Sequence, residues 1–293
     1  MLTSKAIYKH IWPLLLLSGI LVSFSGCGYY LVPENFQPLE VEKQETLGES
    51  TQMEVLDDGT VTFLQNRLEV SVRAMTDEEL NRQFASASIN SGGPAEELPS
   101  NPFTYGNWED PRPGRVPKRF SIFRINVKNY EYPKVKLDPL QVVVRSSNGR
   151  SYYPWGSYDV EEYFRRFPLA FNGLGYMRLN ERRDIFTRGR YPDDEFCFSG
   201  QEVGGYVIFP KIHDDVEEVI VEIPELGVRY DFRSEPVETI DLSFRFKRNI
   251  RIRRYPVTRP NRFNIFIDLH LIPFSQIPVR NIVEVKCRQV KPP

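Results

Sequence analysis

Three consecutive residues, His213, Asp214 and Asp215, carry side chains that could ligate a divalent cation. Successive side chains of an extended chain point to opposite sides, and no second cluster in the sequence would complete a coordination sphere. We interpret this stretch as a solvated turn between strands. His270 is flanked by apolar residues and is interpreted as a packed strand residue. The sequence therefore predicts no metal site and no cofactor.

Sequence signatures of nucleophilic catalysis are missing. The chain has no G-x-S-x-G, no H-E-x-x-H and no phosphate-binding glycine loop. Cys197 has no basic neighbour in sequence that would favour its thiolate. We predict no catalytic residues. The alternative is an enzyme whose site forms only in space, with His213 or His270 in a cleft beside an acid or Cys197.

A run of basic residues, 247–262, contains no acid. In a strand, Arg251 and Arg253 share one face, whereas Arg248 and Arg254 share the other. Arginine suits bidentate recognition of phosphate or carboxylate, so these side chains are candidates for contact with a lipid or an acidic partner. The alternative is a charged edge strand that prevents unwanted pairing.

A second candidate contact surface is the aromatic stretch 151–158. It includes Tyr152, Tyr153 and Trp155, and tyrosine and tryptophan are frequent binding anchors. The alternative is that these rings pack against the helix that follows. Residues 87–118, rich in serine, glycine and proline, form a third candidate, because a loop of this length usually has a function.

The N-terminus has the order of a secretory signal. Lys5 and Lys9 precede a short apolar run that ends at Phe24, and small residues follow. The run is too short to span a membrane. The residues before Cys27 resemble a bacterial lipobox, with Phe24 in place of the usual leucine. We therefore predict a signal peptide over 1–26 and lipidation of Cys27.

This resemblance implies a membrane location. Acyl chains on Cys27 would anchor the protein, and residues 27–50 are predicted to be a lipidated tether. Neither Gly28 nor Tyr29 is an aspartate, which by resemblance to proteobacterial sorting implies the outer membrane, facing the periplasm. Removal of 1–26 takes away two lysines and no acid from a chain of 38 basic and 39 acidic residues. The remainder is slightly acidic, so we predict no nucleic-acid partner.

Two cysteines remain once Cys27 is set aside. Cys197 and Cys287 could pair in an oxidising compartment. They could equally be two buried thiols, because both lie in segments with strand character. The sequence leaves both alternatives open.

Alternating apolar residues and glycine turns predict a β protein. Asp58-Gly59 and Asn148-Gly149 each favour a hairpin turn. "RFSIFRINVKN" and "EVGGYVIFPKI" alternate along their length and are predicted to be strands. "VEEVIVEI" and "GVRYDF" are expected to be neighbours of the latter strand.

Helix signals are few. Thr76 and Glu79 fit a capping box, which predicts a short helix over 77–86, and a second helix is predicted over 158–167. About a dozen short strands with two helices favour an all-β antiparallel sandwich. We predict that it spans 51–255, with strands of 256–293 packing on it.

The order of "LEVSVRAMTDEELNRQF", "NPF", "FSIFRINVKN", "PLQVVVRSSNGRSYYP" and "GQEVGGYVIFP" resembles bacterial lipoproteins with an immunoglobulin-like domain of the DUF4352 type. The resemblance covers residues 67–245. It implies an immunoglobulin-like β-sandwich and no shared catalytic residues. Fold alone does not fix function.

Together these observations predict a membrane-anchored envelope lipoprotein that binds or supports an envelope protein partner and is not an enzyme. The first alternative is a periplasmic module that binds a small molecule or lipid, which would require an apolar pocket between the sheets. The second is the spatially assembled enzyme.

Overall fold

A computed structural model describes residues 29–44, 53–65, 67–89, 99–107, 118–165 and 173–254. The described fold is mostly β, with antiparallel sheets and few helices. The chain divides into two units, Leu31–Arg251 and a second made of Met1–Tyr30 and Ile252–Pro293. The larger unit includes residues from Leu31 onward, and the predicted start of the β-sandwich domain at residue 51 stays a prediction. The predicted strands of 256–293 lie outside the described residues.

The strands are β1 (Tyr29–Pro33), β2 (Gln37–Pro38), β3 (Met53–Val55), β4 (Thr60–Gln65), β5 (Leu68–Ala74), β6 (Phe120–Asn129), β7 (Lys134–Val135), β8 (Val143–Ser146), β9 (Ser151–Tyr152), β10 (Cys197–Phe198), β11 (Gln201–Pro210), β12 (Glu218–Tyr230), β13 (Pro236–Lys247) and β14 (Ile250–Arg254). The helices are α1 (Val41–Gln44), α2 (Asp77–Gln83), α3 (Ala85–Ser88), α4 (Ser157–Arg165) and α5 (Gly173–Gly189).

Two five-stranded sheets form the body of the larger unit. The first has the order β11-β6-β5-β4-β3 and the second β2-β13-β12-β8-β9. Both predicted hairpins are confirmed: β3 pairs with β4 and β8 with β9, and Gly59 and Gly149 take the positive φ that their turns require. Two small sheets, β1-β14 and β10-β7, complete the strand pairing.

One predicted neighbour relationship is wrong. The segment 218–230 is a single long strand, β12, which pairs with β13 and β8 in the second sheet rather than with β11. A β-bulge near Glu225 explains why the sequence pattern indicates two strands here, since the register shifts at this point and Glu225 has a positive φ.

The two sheets share one apolar core. Phe123 of β6 and Phe246 of β13 lie with ring centroids 5.5 Å apart, and both are buried. The alternation of β6 is confirmed, because Phe123, Ile125 and Val127 enter this core. Burying a large apolar side chain is worth about 1.5–3 kcal/mol, so this core is the main source of stability.

The opposite face of the first sheet is covered by helices. Phe120 and Ile122 of β6 join Tyr206 and Ile208 of β11 in a second cluster with α2, α4 and α5. The capping box of α2 is confirmed, since the side chains of Thr76 and Glu79 each accept a hydrogen bond from the other's main-chain N–H. The predicted helix 77–86 is divided at Phe84 into α2 and α3.

The helix α5 was not predicted. Its residues lie in a region, 168–195, that has no sustained apolar period, and two glycines stand near its start. Phe186 of α5 is buried against Phe103, with ring centroids 6.2 Å apart. Tertiary packing, rather than local amphipathicity, therefore accounts for this helix.

Part of the predicted tether 27–50 belongs to the fold. β2 pairs with β13 through Pro38 and Gln37, and Phe36 packs on the shared core. Gln44 at the end of α1 is buried and hydrogen-bonds the main chain of Arg245. The described part of the tether from Leu31 to Gln44 is thus docked rather than extended.

Candidate functional site

The loop after β11 meets strand β9 at a tyrosine–histidine pair. The hydroxyl of Tyr152 lies 2.9 Å from Nδ1 of His213, and the main-chain N–H of His213 donates to the same hydroxyl at 3.3 Å. Tyr152 is buried and His213 is exposed. Two sequence-predicted candidates that are 61 residues apart are therefore in contact.

Arg248 lies behind this loop. Its Nε donates to the carbonyl oxygen of Val216 at 2.7 Å, and Nη2 donates to that of His213. The guanidinium lies 4.4 Å from the ring centroid of Phe36, and the residue is only 4% exposed. Burial lowers the pKa of Arg248. The prediction of Arg248 as a surface contact is corrected by this burial: its side chain ties the loop 211–216 to β13.

A small cleft adjoins Arg248. It has a volume of about 20 Å³ and is lined by Asp77, Lys118 and Arg248 together with Phe36 and apolar side chains of β6. Nζ of Lys118 donates to Oδ1 of Asn35. A cavity of this size holds one water molecule.

The titration of the cleft is set by desolvation. Burial raises the pKa of Asp77, against the opposing effect of Lys118. Burial also lowers the pKa of Lys118, and the nearby cation Arg248 lowers it further. Each shift has the sign that removal of water from a charged group produces.

Two ion pairs flank the loop. Arg150 pairs with Asp215 through the two terminal guanidinium nitrogens, Nη1 and Nη2, at 2.6 and 3.0 Å. Lys211 pairs with Asp214 at 2.9 Å. The hydrogen bond from Arg150 holds the pKa of Asp215 below its usual range. Asp214 and Asp215 are thus engaged by cations of the chain. In the described parts of the sequence no group of three or more histidine, cysteine, aspartate or glutamate side chains is placed to hold a metal ion.

The hydrogen bonds of Arg248 hold the loop 211–216 in place beside the cleft. The cleft is lined by the carboxylate of Asp77 and by the cations Lys118 and Arg248, around a space that fits one water molecule. The cleft volume is far below the roughly 300–1,000 Å³ of a small-molecule site.

The aromatic stretch 151–158 divides between core and surface. Trp155 packs on Phe120 and on Tyr163 of α4, with ring centroids 5.4 and 5.6 Å apart. Tyr153 is exposed, whereas Tyr152 is buried. Packing against the following helix therefore explains Trp155, whereas Tyr153 and Tyr158 keep the exposure that a partner contact requires.

The basic run begins in strands β13 and β14. Arg251 is exposed and its guanidinium pairs with Glu34, and Arg253 is exposed too. Arg254 is the last residue of β14, and the rest of the run, from 255 on, lies outside the described residues. Ile252 between the exposed arginines is 64% exposed.

The cysteine predictions are partly outside the described residues. Cys27 and Cys287 lie there, as does His270. Cys197 is buried and forms no disulfide with another described residue, and its Sγ contacts the carbonyl oxygens of Val127 and Gln201. Burial raises the pKa of the Cys197 thiol, so it is a poor nucleophile at neutral pH. Its pairing with Cys287 stays a prediction.

Sequence reasoning missed the buried cations of the helical layer. Arg119 and Arg182 lie on the ring of Phe164, at 5.4 and 5.3 Å from its centroid. They donate to main-chain oxygens of the described part of the predicted loop, Arg119 to Asn101 and Arg182 to Pro99. Residues 99–107 are therefore held against the fold. The basic residues themselves gave no signal, because arginine is usually exposed.

Comparisons with family models, curated proteins and solved structures find no match to this chain. Within the described ranges no helix is both long enough and apolar enough to cross a membrane.

Proposed function

We propose that this protein is a lipid-anchored component of a bacterial envelope, held through Cys27, that binds or supports another envelope protein at the membrane surface. The N-terminal order of basic residues, a short apolar run, small residues and Cys27 supports the anchor. The fold supports a binding role, as a rigid β scaffold that presents loops and strand edges.

The observation that carries this proposal is the distance along the chain from Cys27 to the folded unit. That unit begins at Leu31, only four residues later. Four residues span at most about 14 Å when fully extended. An acylated Cys27 would therefore hold the β fold close to the bilayer, which suits a component that acts at the surface of the membrane.

We also propose that the two sheets form an immunoglobulin-like sandwich. Their shared core and antiparallel pairing support a sandwich, and the sequence order supports the immunoglobulin-like type. Such a fold hosts many functions, so it supports a binding role without defining the partner.

Two cavities lined by described residues are too small for a small-molecule ligand, which supports a macromolecular partner. The cleft beside Lys118 has about 20 Å³, and a second cavity between α4 and α5, lined by Phe164 and Arg182, has about 80 Å³. Small-molecule sites are several times larger. The inner faces of the sheets are filled by fully buried side chains, such as Val72 and Phe244.

The proposal is tested by purifying the protein from its native envelope in mild detergent. The wild-type protein is compared with Cys27→Ala, and Cys197→Ala serves as the control for loss of a cysteine as such. We expect specific proteins to co-purify with wild type and with Cys197→Ala, and to disappear with Cys27→Ala. A wild-type protein outside the membrane fraction would contradict the anchor. A membrane-bound protein without companions would contradict the partner role and favour ligand binding.

A further inference from the structure

The ribbon of β1 and β14 combines arginine with exposed apolar side chains. β14 has the sequence Ile-Arg-Ile-Arg-Arg, in which Arg251, Ile252 and Arg253 are all exposed. Its neighbour β1 begins with Tyr29, which is about half exposed. Tyrosine, arginine and apolar residues are typical of protein surfaces at the membrane interface.

The charge of this ribbon is positive. The strand β14 contributes three arginines and no acid. The acid that contacts it among the described residues is Glu34, whose carboxylate pairs with Arg251. One carboxylate against three arginines leaves a net positive strand, which suits phosphate groups.

The proposed anchor places the ribbon at the membrane. This step rests on the proposed function, because it takes Cys27 as the acylated residue. Two extended residues, about 7 Å, separate Cys27 from the first residue of β1. Adjacent strands are about 4.8 Å apart, and the Debye length at physiological salt is about 8 Å. The end of β14 beside Tyr29 thus lies at most about 12 Å from Cys27, a little more than one Debye length, so its arginines lie at the edge of the surface potential of the bilayer.

We propose that the β1–β14 ribbon binds the anionic phospholipid headgroups of the membrane that holds Cys27. Arg251 and Arg253 contact headgroup phosphates, and Ile252 and Tyr29 enter the interfacial region. The ribbon is a second membrane contact beside the acyl anchor. Acyl anchors act together with basic residues in this way, each basic residue adding to the binding.

The test measures vesicle binding without the acyl anchor. The chain from residue 27 onward, carrying Cys27→Ser, is mixed with phosphatidylcholine vesicles that contain or lack phosphatidylglycerol, and bound protein is measured by flotation. The loss variant is Arg251→Gln with Arg253→Gln. The matched control is Arg183→Gln with Arg188→Gln on α5, where both arginines are exposed and ion-paired. Circular dichroism verifies that each variant is folded.

We expect binding to phosphatidylglycerol vesicles, weakened by salt, and about a fivefold loss for each ribbon arginine removed, with no loss in the control. The variant Glu34→Gln should bind phosphatidylglycerol vesicles more tightly than the parent chain, because it releases Arg251 from its ion pair. Equal binding by the ribbon variant and the control, or equal binding to neutral vesicles, would overturn the proposal, as would a failure of the parent chain to bind. None of these outcomes depends on acylation of Cys27, so the proposed function is tested separately.

Discussion

The side-chain amide of Gln44 hydrogen-bonds the main chain of Arg245 in both directions. Nε2 donates to the carbonyl oxygen of Arg245 at 2.8 Å, and Oε1 accepts from its N–H at 2.8 Å. The amide thereby continues the pairing that β2 begins at the edge of β13. This contact fixes the N-terminal segment on the β fold and so fixes the length of chain that remains between the fold and Cys27.

Replacing Gln44 by glutamate should therefore destabilise the fold. A carboxylate cannot donate to the carbonyl oxygen of Arg245, which then keeps only its hydrogen bond from the N–H of Leu39, and the loss of a buried hydrogen bond costs about 1 kcal/mol or more. Urea unfolding of Gln44→Glu against Lys43→Ala measures the effect. Lys43 is exposed and its ion pair with Glu40 is worth little, so the control should unfold like wild type. Equal midpoints for both variants would contradict a role for Gln44.

Arg248 and Arg251 should respond differently to the same substitution. Arg248→Gln leaves the carbonyl oxygen of Val216 without the donor Nε and that of His213 with only the N–H of Val216, and should lower the free energy of unfolding by about 1–3 kcal/mol or more. Arg251→Gln removes only an exposed ion pair and should change it by less than about 1 kcal/mol. Thermal unfolding of both variants decides the matter, and a larger loss in Arg251→Gln would refute the assignment of Arg248 as the structural arginine.

Asp77 should make stability pH-dependent in a defined direction. Its pKa is raised in the folded state by burial, so the folded chain binds this proton more tightly than the unfolded chain. The contribution of Asp77 to stability is present at low pH and is lost as pH rises through the raised pKa. Asp77→Asn abolishes that loss, so its stability relative to wild type should increase from about pH 4 to about pH 7.

The measurement for Asp77 is urea unfolding at several pH values, with the exposed neighbour Glu78→Gln as control. Because other carboxylates titrate in both proteins, the informative quantity is the difference between variant and wild type at each pH. A difference that is constant with pH, or that falls as pH rises, would show that burial does not govern this carboxyl group.

Gly205 should not tolerate a side chain. The main chain of Tyr191 crosses β11 here, with its N–H donating to the carbonyl oxygen of Tyr206 at 2.9 Å. A Cβ on Gly205 would overlap that main chain, whereas a Cβ on Gly156 would meet only atoms at 3.6 Å or more. We expect Gly205→Ala to cost at least about 1–3 kcal/mol and Gly156→Ala to cost far less. Comparable melting temperatures for the two variants would contradict this packing.

Local patterns predicted local structure well. The alternation of β6 and β11, the two glycine hairpins and the capping box of α2 all follow from side-chain period and turn chemistry, which depend on near neighbours. The position of β12 in the second sheet does not follow, because sheet order is set by long-range packing. The burial of Arg248 was equally hidden, since a strand pattern does not show that Phe36 from the N-terminal segment covers it.

The candidate site shows the same division. The sequence indicated His213 and Tyr152 as separate features, and only the fold brings them within 2.9 Å. Lys118 and Asp77 gave no sequence signal, because each stands among ordinary polar residues and gains its altered pKa from burial. Helix α5 was missed because its stability comes from contacts such as Phe186 with Phe103 rather than from its own period.

The central claim is that Cys27 is the acylated N-terminus of a protein held at the membrane. Mass spectrometry of the N-terminal peptide of the protein purified from its native envelope tests it most directly. The account predicts a peptide that begins at Cys27 and carries the mass of a diacylglyceryl group. A peptide that begins at another residue, or an unmodified Cys27, would contradict it.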